Sequence, residues 1–440
     1  MPYRQGIRLP GKRASRISHI DFIQNKLINE VIKKFEVSQN NLPSLQPNWI
    51  EIPSDNKALP YIFSVDGSYI IRQNDKPPYW KEAFIKTSLF LLDQNALSKI
   101  DKDSPHPFQL TDYIYNYSLS HCAVFPLKNI NISGKSIYHF NRQLIYELIQ
   151  NKSGPLYGEP METLKWIVYK KWTNNQKELP TFQCPHCEDI VATLPYNSEI
   201  GSCPNCMGQI FITDMLGFHQ EMSEDFAPDQ LASDYMNVHE LLLLFTGIRY
   251  FWETNKFEAL ENSLFVKDGP LMMPSQYSKL VEPIRQFIEF AQKQGCNINI
   301  IGQEKSGAFF EHLQLIGKDA PLKTMFIPND SYIKEEIQQR PKKPFQHLYG
   351  EKTNYGAKVF IKLNNYHQMI LNIPTGRFNP NPHISDLIGK DRICSTLETI
   401  LSYRYEGALL PIELVHGIAS LSTYPSAEIL KIFAKASTGS

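Results

Sequence analysis

Two apolar runs along the chain each reach an aspartate that is followed by glycine. The first is FSVDGSY (residues 63–69) and the second is LFVKDGPL (264–271). Because Asp and Gly are favoured in turns, the pattern predicts two strands that turn directly after Asp66 and Asp268. A carboxylate at the end of an apolar strand is costly unless it is paired or metal-bound, so a metal site is the alternative to a simple turn. Alternation places three side chains of the first strand on one face: Ile62, Ser64 and Asp66.

The apolar periodicity of the remaining chain predicts helices that alternate with strands. Such alternation is typical of βαβ units, and it predicts an α/β fold with a mixed sheet flanked by helices. In chain order, the predicted elements are helices at 17–36, 163–172, 233–253 (N-cap Ser233 or Asp234) and 278–294, a strand at 297–302, a helix from Ser306, a hairpin at 357–374, and helices near 384–403 and 411–421.

Composition narrows the class of protein only slightly. The 440 residues, 42% hydrophobic and 20% charged, predict one large domain with insertions or two to three domains. Forty-five basic residues balance 45 acidic ones, so net charge gives no indication of a nucleic-acid partner, although residues 1–20 form a basic arm. No segment has the length of a membrane helix or the apolar core of a secretory signal, and we expect a cytoplasmic protein without a membrane partner.

Four of the seven cysteines form two close pairs, CPHC (184–187) and CPNC (203–206). Two such pairs with fifteen residues between them predict a tetrahedral Zn²⁺ site in a small zinc ribbon. Four thiolates leave no open coordination position, so we expect a structural role, with His186 as a bystander. The ligands are Cys184, Cys187, Cys203 and Cys206.

Further candidate residues lie on helices and turns. If the two strands are neighbours, Asp66 and Asp268 lie at one edge and could hold Mg²⁺ or Mn²⁺ with a third acid. Glu240, on an apolar helix face without an evident basic partner in sequence, is that candidate, with Glu253 as the alternative. Two other residues remain open between function and structure: His416 in an apolar segment, and Lys305 as a phosphate contact or a solvent-exposed lysine.

The order of several motifs resembles that of the NurA family of nucleases, from about residue 58 to 430. The motifs are FSVDGSY, MNVHELLLLFTGIRYF, LFVKDGPL, IIGQEKSGAFFEHL, YGEKTNYGAKVFIKL and GALLPIELVHGIASLS. The resemblance implies an RNase H-like fold and a Mn²⁺- or Mg²⁺-dependent DNA nuclease, a 5′ to 3′ exonuclease and single-strand endonuclease. It also implies a homodimer that works with a HerA-type hexameric ATPase, in DNA end processing or anti-phage defence.

On this resemblance, the family's site residues fall on Asp66, Glu240, Asp268 and His416 as catalytic residues and as ligands of Mn²⁺ or Mg²⁺. A family tyrosine before the histidine has Tyr403 and Tyr405 as candidates. The implied division is an N-terminal arm and helix (1–57), a nuclease domain in two parts (58–178 and 225–436), and an inserted zinc ribbon (179–215).

Two other classes of function remain open. The chain could be a catalytically silent RNase H-like scaffold that holds DNA for the ATPase. It could also be a two-carboxylate hydrolase such as a glycosidase, which would need no metal ion. Metal dependence separates the nuclease from the glycosidase.

Overall fold

The computed structural model describes residues 25–34, 45–53, 57–74, 77, 79–99, 107–130, 132, 134–151, 158–173, 179–339 and 347–421. The chain divides into two units, Met1–Gln46 and Pro47–Ser440. The predicted basic arm lies outside the described residues.

The first unit contains helix α1 (Lys26–Lys33), which lies inside the predicted helix 17–36. Asn25 caps α1 because its Oδ1 accepts hydrogen bonds from the backbone N–H groups of Leu27 (3.0 Å) and Ile28 (3.3 Å).

The second unit contains strands and helices in alternation. The strands are β1 (Ile50–Glu51), β2 (Tyr61–Gln73), β3 (Lys81–Asp93), β4 (Ser118–Lys128), β5 (Ile200–Ser202), β6 (Gln209–Phe211), β7 (Ser263–Asp268), β8 (Asn299–Glu304), β9 (Thr324–Phe326), β10 (Ala357–Lys362) and β11 (Gln368–Ile373). The helices are α2 (Gln94–Leu97), α3 (Pro107–Asn116), α4 (Ile137–Gln150), α5 (Glu159–Val168), α6 (Gln230–Glu253), α7 (Phe257–Glu261), α8 (Val281–Lys293), α9 (Ala308–Ile316), α10 (Asp330–Tyr332), α11 (Lys390–Leu397) and α12 (Leu410–Ala419). Short 3₁₀ segments cover Ile212–Leu216, Phe218–Glu221, Ser275–Leu280 and Ile384–Asp386, and a π turn covers Ile333–Ile337.

Nine of these strands form one mixed sheet in the order β1-β9-β10-β11-β8-β7-β2-β3-β4. The pairs β2–β7 and β7–β8 are parallel, and the other neighbours are antiparallel. The parallel strands β7 and β8 are connected through α8, which confirms the predicted βαβ unit, and β10 with β11 is the predicted hairpin. The fold is therefore mixed α/β, as the periodicity predicts.

Helices cover both faces of the sheet. On one face, Val65, Phe265 and Ile300 of the central strands pack in a core with α5, α6 and α8. On the other face, Ile62, Leu264, Val266 and Ile301 pack with α11 and α12. Successive residues of a strand point to opposite faces, so each central strand serves both cores. The two faces are called the α6 face and the α12 face below.

Strand β2 does not turn after Asp66, and this prediction is wrong. The strand continues for seven more residues to Gln73, and all thirteen of its residues pair with β3. Asp66 is therefore in the middle of a strand, opposite Ser88. The second motif behaves as predicted: β7 ends at Asp268, and Gly269 takes φ = +99°, a conformation that favours glycine.

Helix α6 begins at Gln230, before the N-cap predicted at Ser233 or Asp234. The Asp234 carboxylate is buried, and it accepts hydrogen bonds from Tyr277 Oη (2.9 Å) and Gln230 Nε2 (3.0 Å). A tertiary contact thus uses the side chain that the sequence assigns to capping. In the described part of the chain, no helix is both long and apolar enough to cross a membrane.

Candidate metal centre

Asp66, Asp268 and His416 lie together although they are far apart in sequence. Each offers one oxygen or nitrogen atom, and these three atoms lie within 4.8 Å of one another. His416 Nδ1 is 2.7 Å from Asp66 Oδ2. Asp66 is buried, Asp268 is partly buried, and the His416 side chain is 61% exposed, so the group is accessible from the side of the histidine.

The sheet brings the two aspartates to one place. Strands β2 and β7 are parallel neighbours, and Val65 pairs with Lys267, so Asp66 and Asp268 come next in each strand. Both belong to the alternation series that points to the α12 face, with Ile62 and Ser64 on β2 and with Leu264 and Val266 on β7. The site lies where β7 ends but β2 continues.

Helix α12 brings the histidine to the aspartates. Near its start, the Pro411 carbonyl accepts a hydrogen bond from Ser64 Oγ (3.0 Å). Near its end, the Ala419 carbonyl accepts one from Ser68 Oγ (2.6 Å), and the Ile418 carbonyl accepts one from Lys86 Nζ (2.6 Å). The helix is therefore fastened to β2 and β3 at both ends, with His416 between the fastened points.

Electrostatics at Asp66 favour a bound cation. Burial raises the pKa of the Asp66 carboxyl, and the nearby Asp268 raises it further, while the hydrogen bonds from His416 and from the Gly67 N–H (2.8 Å) lower it. Two carboxylates this close repel each other unless a positive charge lies between or beside them.

The donor set fits a divalent ion. Carboxylate oxygens and an imidazole nitrogen are ligands that Mn²⁺ accepts, and Mg²⁺ binds carboxylates with the rest of its shell from water or substrate. The ion would be held by Asp66, Asp268 and His416.

Glu240 lies beside this group but outside it. Its Oε2 is 2.8 Å from Lys267 Nζ, and both side chains are almost fully buried. The basic partner that the sequence did not reveal is therefore Lys267, which directly precedes Asp268. Burial raises the pKa of Glu240 to about 7; Lys267 lowers it, and Asp66 and Asp268 raise it. The alternation that places Asp268 on the α12 face places Lys267 on the opposite face, but the sequence does not show which helix covers that face.

Glu253, the alternative acid, lies elsewhere. Its carboxylate pairs with Arg249 Nη1 at 2.7 Å and is 42% exposed. Arg249 also pairs with Glu159. The structure thus brings Glu240, rather than Glu253, next to the two aspartates.

A cleft of about 600 Å³ opens beside His416. Lys305 lies on its wall, and its Nζ is 2.7 Å from Asp268 Oδ2. Tyr405 also lines the cleft, whereas Tyr403 packs its ring against His367. Phe310 completes an apolar part of the wall. A basic group and aromatic rings next to an acidic group are suited to a phosphate and an unstacked base.

The four paired cysteines form a second group. Their sulfurs lie within 4.8 Å of one another, and the cysteines are free of disulfides. The Sγ atoms of Cys184 and Cys206 are 3.7 Å apart, and those of Cys187 and Cys203 are 3.9 Å apart. Four sulfurs at these distances fit a tetrahedral Zn²⁺ site. His186 bonds instead to the Gln209 carbonyl (2.7 Å), in keeping with the bystander role expected of it. Beside the cysteines, β5 pairs with β6, and Ala192 forms an isolated bridge with Phe182.

No protein-family model and no curated protein matches the chain. Among solved structures, a crystal structure of NurA matches at 10% identity over 97% of this chain and 98% of that chain, with a TM-score of 0.26. Crystal structures of NurA bound to dAMP and manganese (12% identity, 98% of each chain, TM-score 0.25) and of NurA with manganese (11% identity, 97% and 98%, TM-score 0.22) also match. Because these TM-scores are low, no residue role is transferred from them.

Proposed function

We propose that the chain is a Mn²⁺- or Mg²⁺-dependent deoxyribonuclease with an RNase H-like arrangement of its sheet. The observation that carries the proposal is the convergence of Asp66, Asp268 and His416 within 4.8 Å, at the edge of a cleft with a lysine on its wall. The motif order that resembles NurA supports DNA as the substrate.

When bound, the divalent ion supplies activation of water and neutralisation of charge on the phosphoryl oxygens. Asp66 and Asp268 contribute the oxygen ligands, and burial of Asp66 keeps bulk water from this side. His416 completes the donor set, or moves a proton at the leaving oxygen through Nε2 while Nδ1 stays on Asp66. Lys305, which contacts Asp268 from the cleft, would be available to bind a phosphate of the substrate if a divalent ion took its place beside that carboxylate.

The finer parts of the proposal rest on the motif resemblance. They are 5′ to 3′ exonuclease and single-strand endonuclease action, a homodimer, a HerA-type ATPase as partner, and a role in DNA end processing or anti-phage defence. Glu240 is included in the proposed site as the acid next to the two aspartates.

The test uses the purified full chain with end-labelled single- and double-stranded DNA in Mn²⁺, in Mg²⁺ or with EDTA. We expect cleavage that needs the metal ion and that falls at least about 100-fold in Asp66→Asn and Asp268→Asn, as for residues that act in the transition state. Asp319→Asn, an exposed acid far from the site in sequence, is the matched control and should keep wild-type activity.

Cleavage that persists in EDTA would contradict a metal-dependent nuclease. Absence of cleavage in every metal, with and without a HerA-type ATPase, would leave the scaffold as the function. Cleavage only with the ATPase would support an enzyme that its partner activates.

A further inference from the structure

The buried ion pair between Glu240 and Lys267 is an unusual neighbour for a cluster of acids. The two side chains are 3% and 4% exposed, and their charged atoms are 2.8 Å apart. Lys267 Nζ also donates to the backbone carbonyl of Asp268 (3.0 Å), so the ammonium is bound to the same strand end that carries the ligand. A buried charge without its partner is strongly unfavourable, which ties Glu240 to Lys267.

The pair and the proposed ligands lie on different sides of the sheet. Lys267 follows Phe265 in the series of β7 that points to the α6 face, whereas Asp268 points to the α12 face. Glu240 approaches β2 at Gly67, where a Cβ atom would lie 2.8 Å from Glu240 Oε1. The missing side chain of Gly67 therefore lets the Glu240 carboxylate come up to the backbone of β2 from the α6 face.

The charges of this region balance for a single divalent ion. On the α12 face, Asp66 and Asp268 carry two negative charges, which one divalent ion neutralises. On the α6 face, the Glu240 charge is already matched by Lys267. The ion pair leaves none of the three carboxylates for a second divalent ion, although three acids would otherwise suit two ions.

We propose that Lys267 is a built-in cation that retains Glu240 on the α6 face and limits the site to one divalent ion, held by Asp66, Asp268 and His416. The proposal rests on the metal-dependent function proposed above, and it places Glu240 outside the set of ligands, in place of the ligand role expected from the sequence.

Lys305 is a natural comparison for Lys267 because it also pairs with an acid of the site. Its side chain is 39% exposed and contacts Asp268 from the cleft. An exposed ammonium is displaced by an entering ion at little cost, whereas the buried Lys267 has no solvent to move into. Removal of Lys305 should therefore leave the number of bound ions unchanged.

The first experiment is a Mn²⁺ titration of the zinc-loaded full chain, read by calorimetry and by the electron paramagnetic resonance of the bound ion. We expect one Mn²⁺ per chain in the wild type and in Lys305→Met. In Lys267→Met, the freed Glu240 carboxylate should admit a second Mn²⁺, visible as a doubled stoichiometry and as spin coupling between two ions.

A wild-type chain that binds two coupled Mn²⁺ ions would overturn the proposal while leaving the metal-dependent function intact. A Lys267→Met chain that is folded and still binds one ion would overturn the role of Lys267. A wild-type chain that binds no Mn²⁺ at all would overturn both the proposal and the function on which it rests.

A second variant covers the case in which Lys267→Met does not fold. The double variant Glu240→Gln/Lys267→Met removes both charges and keeps the net charge of the site. If Glu240 is not a ligand, its Mn²⁺ dissociation constant should stay within about 3-fold of the wild type. A loss of 10-fold or more, the size expected for a ligand or its direct support, would overturn the proposal. Glu253→Gln on the same helix is the control and should bind Mn²⁺ as the wild type does.

Discussion

Helix α6 comes very close to strand β2 at Gly67. A Cβ atom at this position would lie 2.5 Å from Met236 Cγ and 2.8 Å from Glu240 Oε1. Both distances are shorter than real Cβ contacts, so any side chain here would push the helix side chains away. The Asp-Gly pair that the sequence analysis assigned to a turn thus has another cause at Gly67, which is close packing.

We predict that Gly67→Ala lowers the free energy of unfolding by about 1–3 kcal/mol, the usual range for overpacking a core. Urea unfolding measures the effect. Gly417→Ala in α12 has no atom within 4 Å of the new Cβ and should stabilise the chain by about 0.5–1 kcal/mol. Equal stability of the two variants would show that the close approach is not rigid.

Two stacked histidines form a buried polar group behind the site. His121 and His239 have ring centroids 4.0 Å apart; His121 Nε2 lies 3.0 Å from Tyr235 Oη, and His239 Nδ1 lies 2.7 Å from Thr87 Oγ1. Burial lowers the pKa of His121 to about 4, and burial followed by the charge of His121 lowers the pKa of His239 well below its ordinary value. Both rings are therefore neutral in the folded chain at pH 7.

We predict that the free energy of unfolding falls as the pH is lowered from about 6.5 toward 4. In this window the unfolded histidines bind protons and the folded ones do not, so each contributes a loss of about 1.4 kcal/mol per pH unit. The raised pKa values of Asp66, Glu82 and Glu240 act in the opposite direction, so a variant is needed to isolate the histidines. Between pH 7 and 5, the loss should be smaller in His121→Phe than in the wild type, as measured by urea unfolding. His347→Gln, a change at an exposed histidine, should lose as much free energy of unfolding between pH 7 and 5 as the wild type. If His121→Phe also lost as much as the wild type, His121 would be charged in the folded chain.

At the scale of elements, helix α12 completes the site because it carries His416. Its end is held by Lys86, whose ammonium donates to the Ile418 carbonyl at 2.6 Å, and by Ser68, which accepts from the Leu421 N–H at 2.9 Å. A cation at a helix C-terminus is favoured because the last carbonyls have no partner within the helix. The site therefore depends on a contact between β3 and the end of a helix more than 300 residues away in sequence.

We predict that Lys86→Met lowers the free energy of unfolding by about 1–2 kcal/mol and weakens Mn²⁺ binding, since the last turn of α12 loosens next to His416. Lys99→Met, a change at an exposed lysine, should alter stability by less than about 0.5 kcal/mol. If Lys86→Met were less stable but bound Mn²⁺ with unchanged affinity, the end of α12 would not influence the metal centre.

The elements were partly predictable from the sequence, and the reasons differ among them. The cysteine spacing alone predicted the group of four sulfurs, because all ligands lie within one short segment. The end of β7 at Asp268 was predictable because Gly269 needs a turn conformation there. The length of β2 was not predictable, because its pairing with β3 over thirteen residues overrides the local preference of Asp-Gly for turns. The Lys267 partner of Glu240 depends on which helix covers which face of the sheet.

At the scale of the whole molecule, the ribbon that carries the cysteines is part of the main core. Phe182, Leu194 and Ile210 belong to the same apolar cluster as the helices of the α6 face. Phe211 stacks on Tyr146 of α4 with ring centroids 4.7 Å apart, and Arg142 of α4 forms a buried ion pair with Asp214 (2.8 Å). A change in the cysteine group should therefore reach the large sheet through α4.

We predict that Cys206→Ser loses the bound zinc and unfolds as a whole at a lower temperature, with a shift of more than about 5 °C, since a structural zinc site contributes directly to folding. Elemental analysis and a thermal scan measure the two quantities. Cys122→Ser, a cysteine outside the group, should keep both the zinc and the midpoint. Two separate thermal transitions in Cys206→Ser would mean that the ribbon unfolds independently of the sheet.

The adjacency of Lys267 and Asp268 makes the function of β7 sensitive to the length of the chain before it. A deletion or insertion of one residue in the segment 254–262 that slid β7 by one position would exchange the two faces of the strand. The ammonium would then enter the cleft and the carboxylate would enter the core beneath α6. Natural variation in the length of this connection is therefore expected to come in changes that preserve the register of β7.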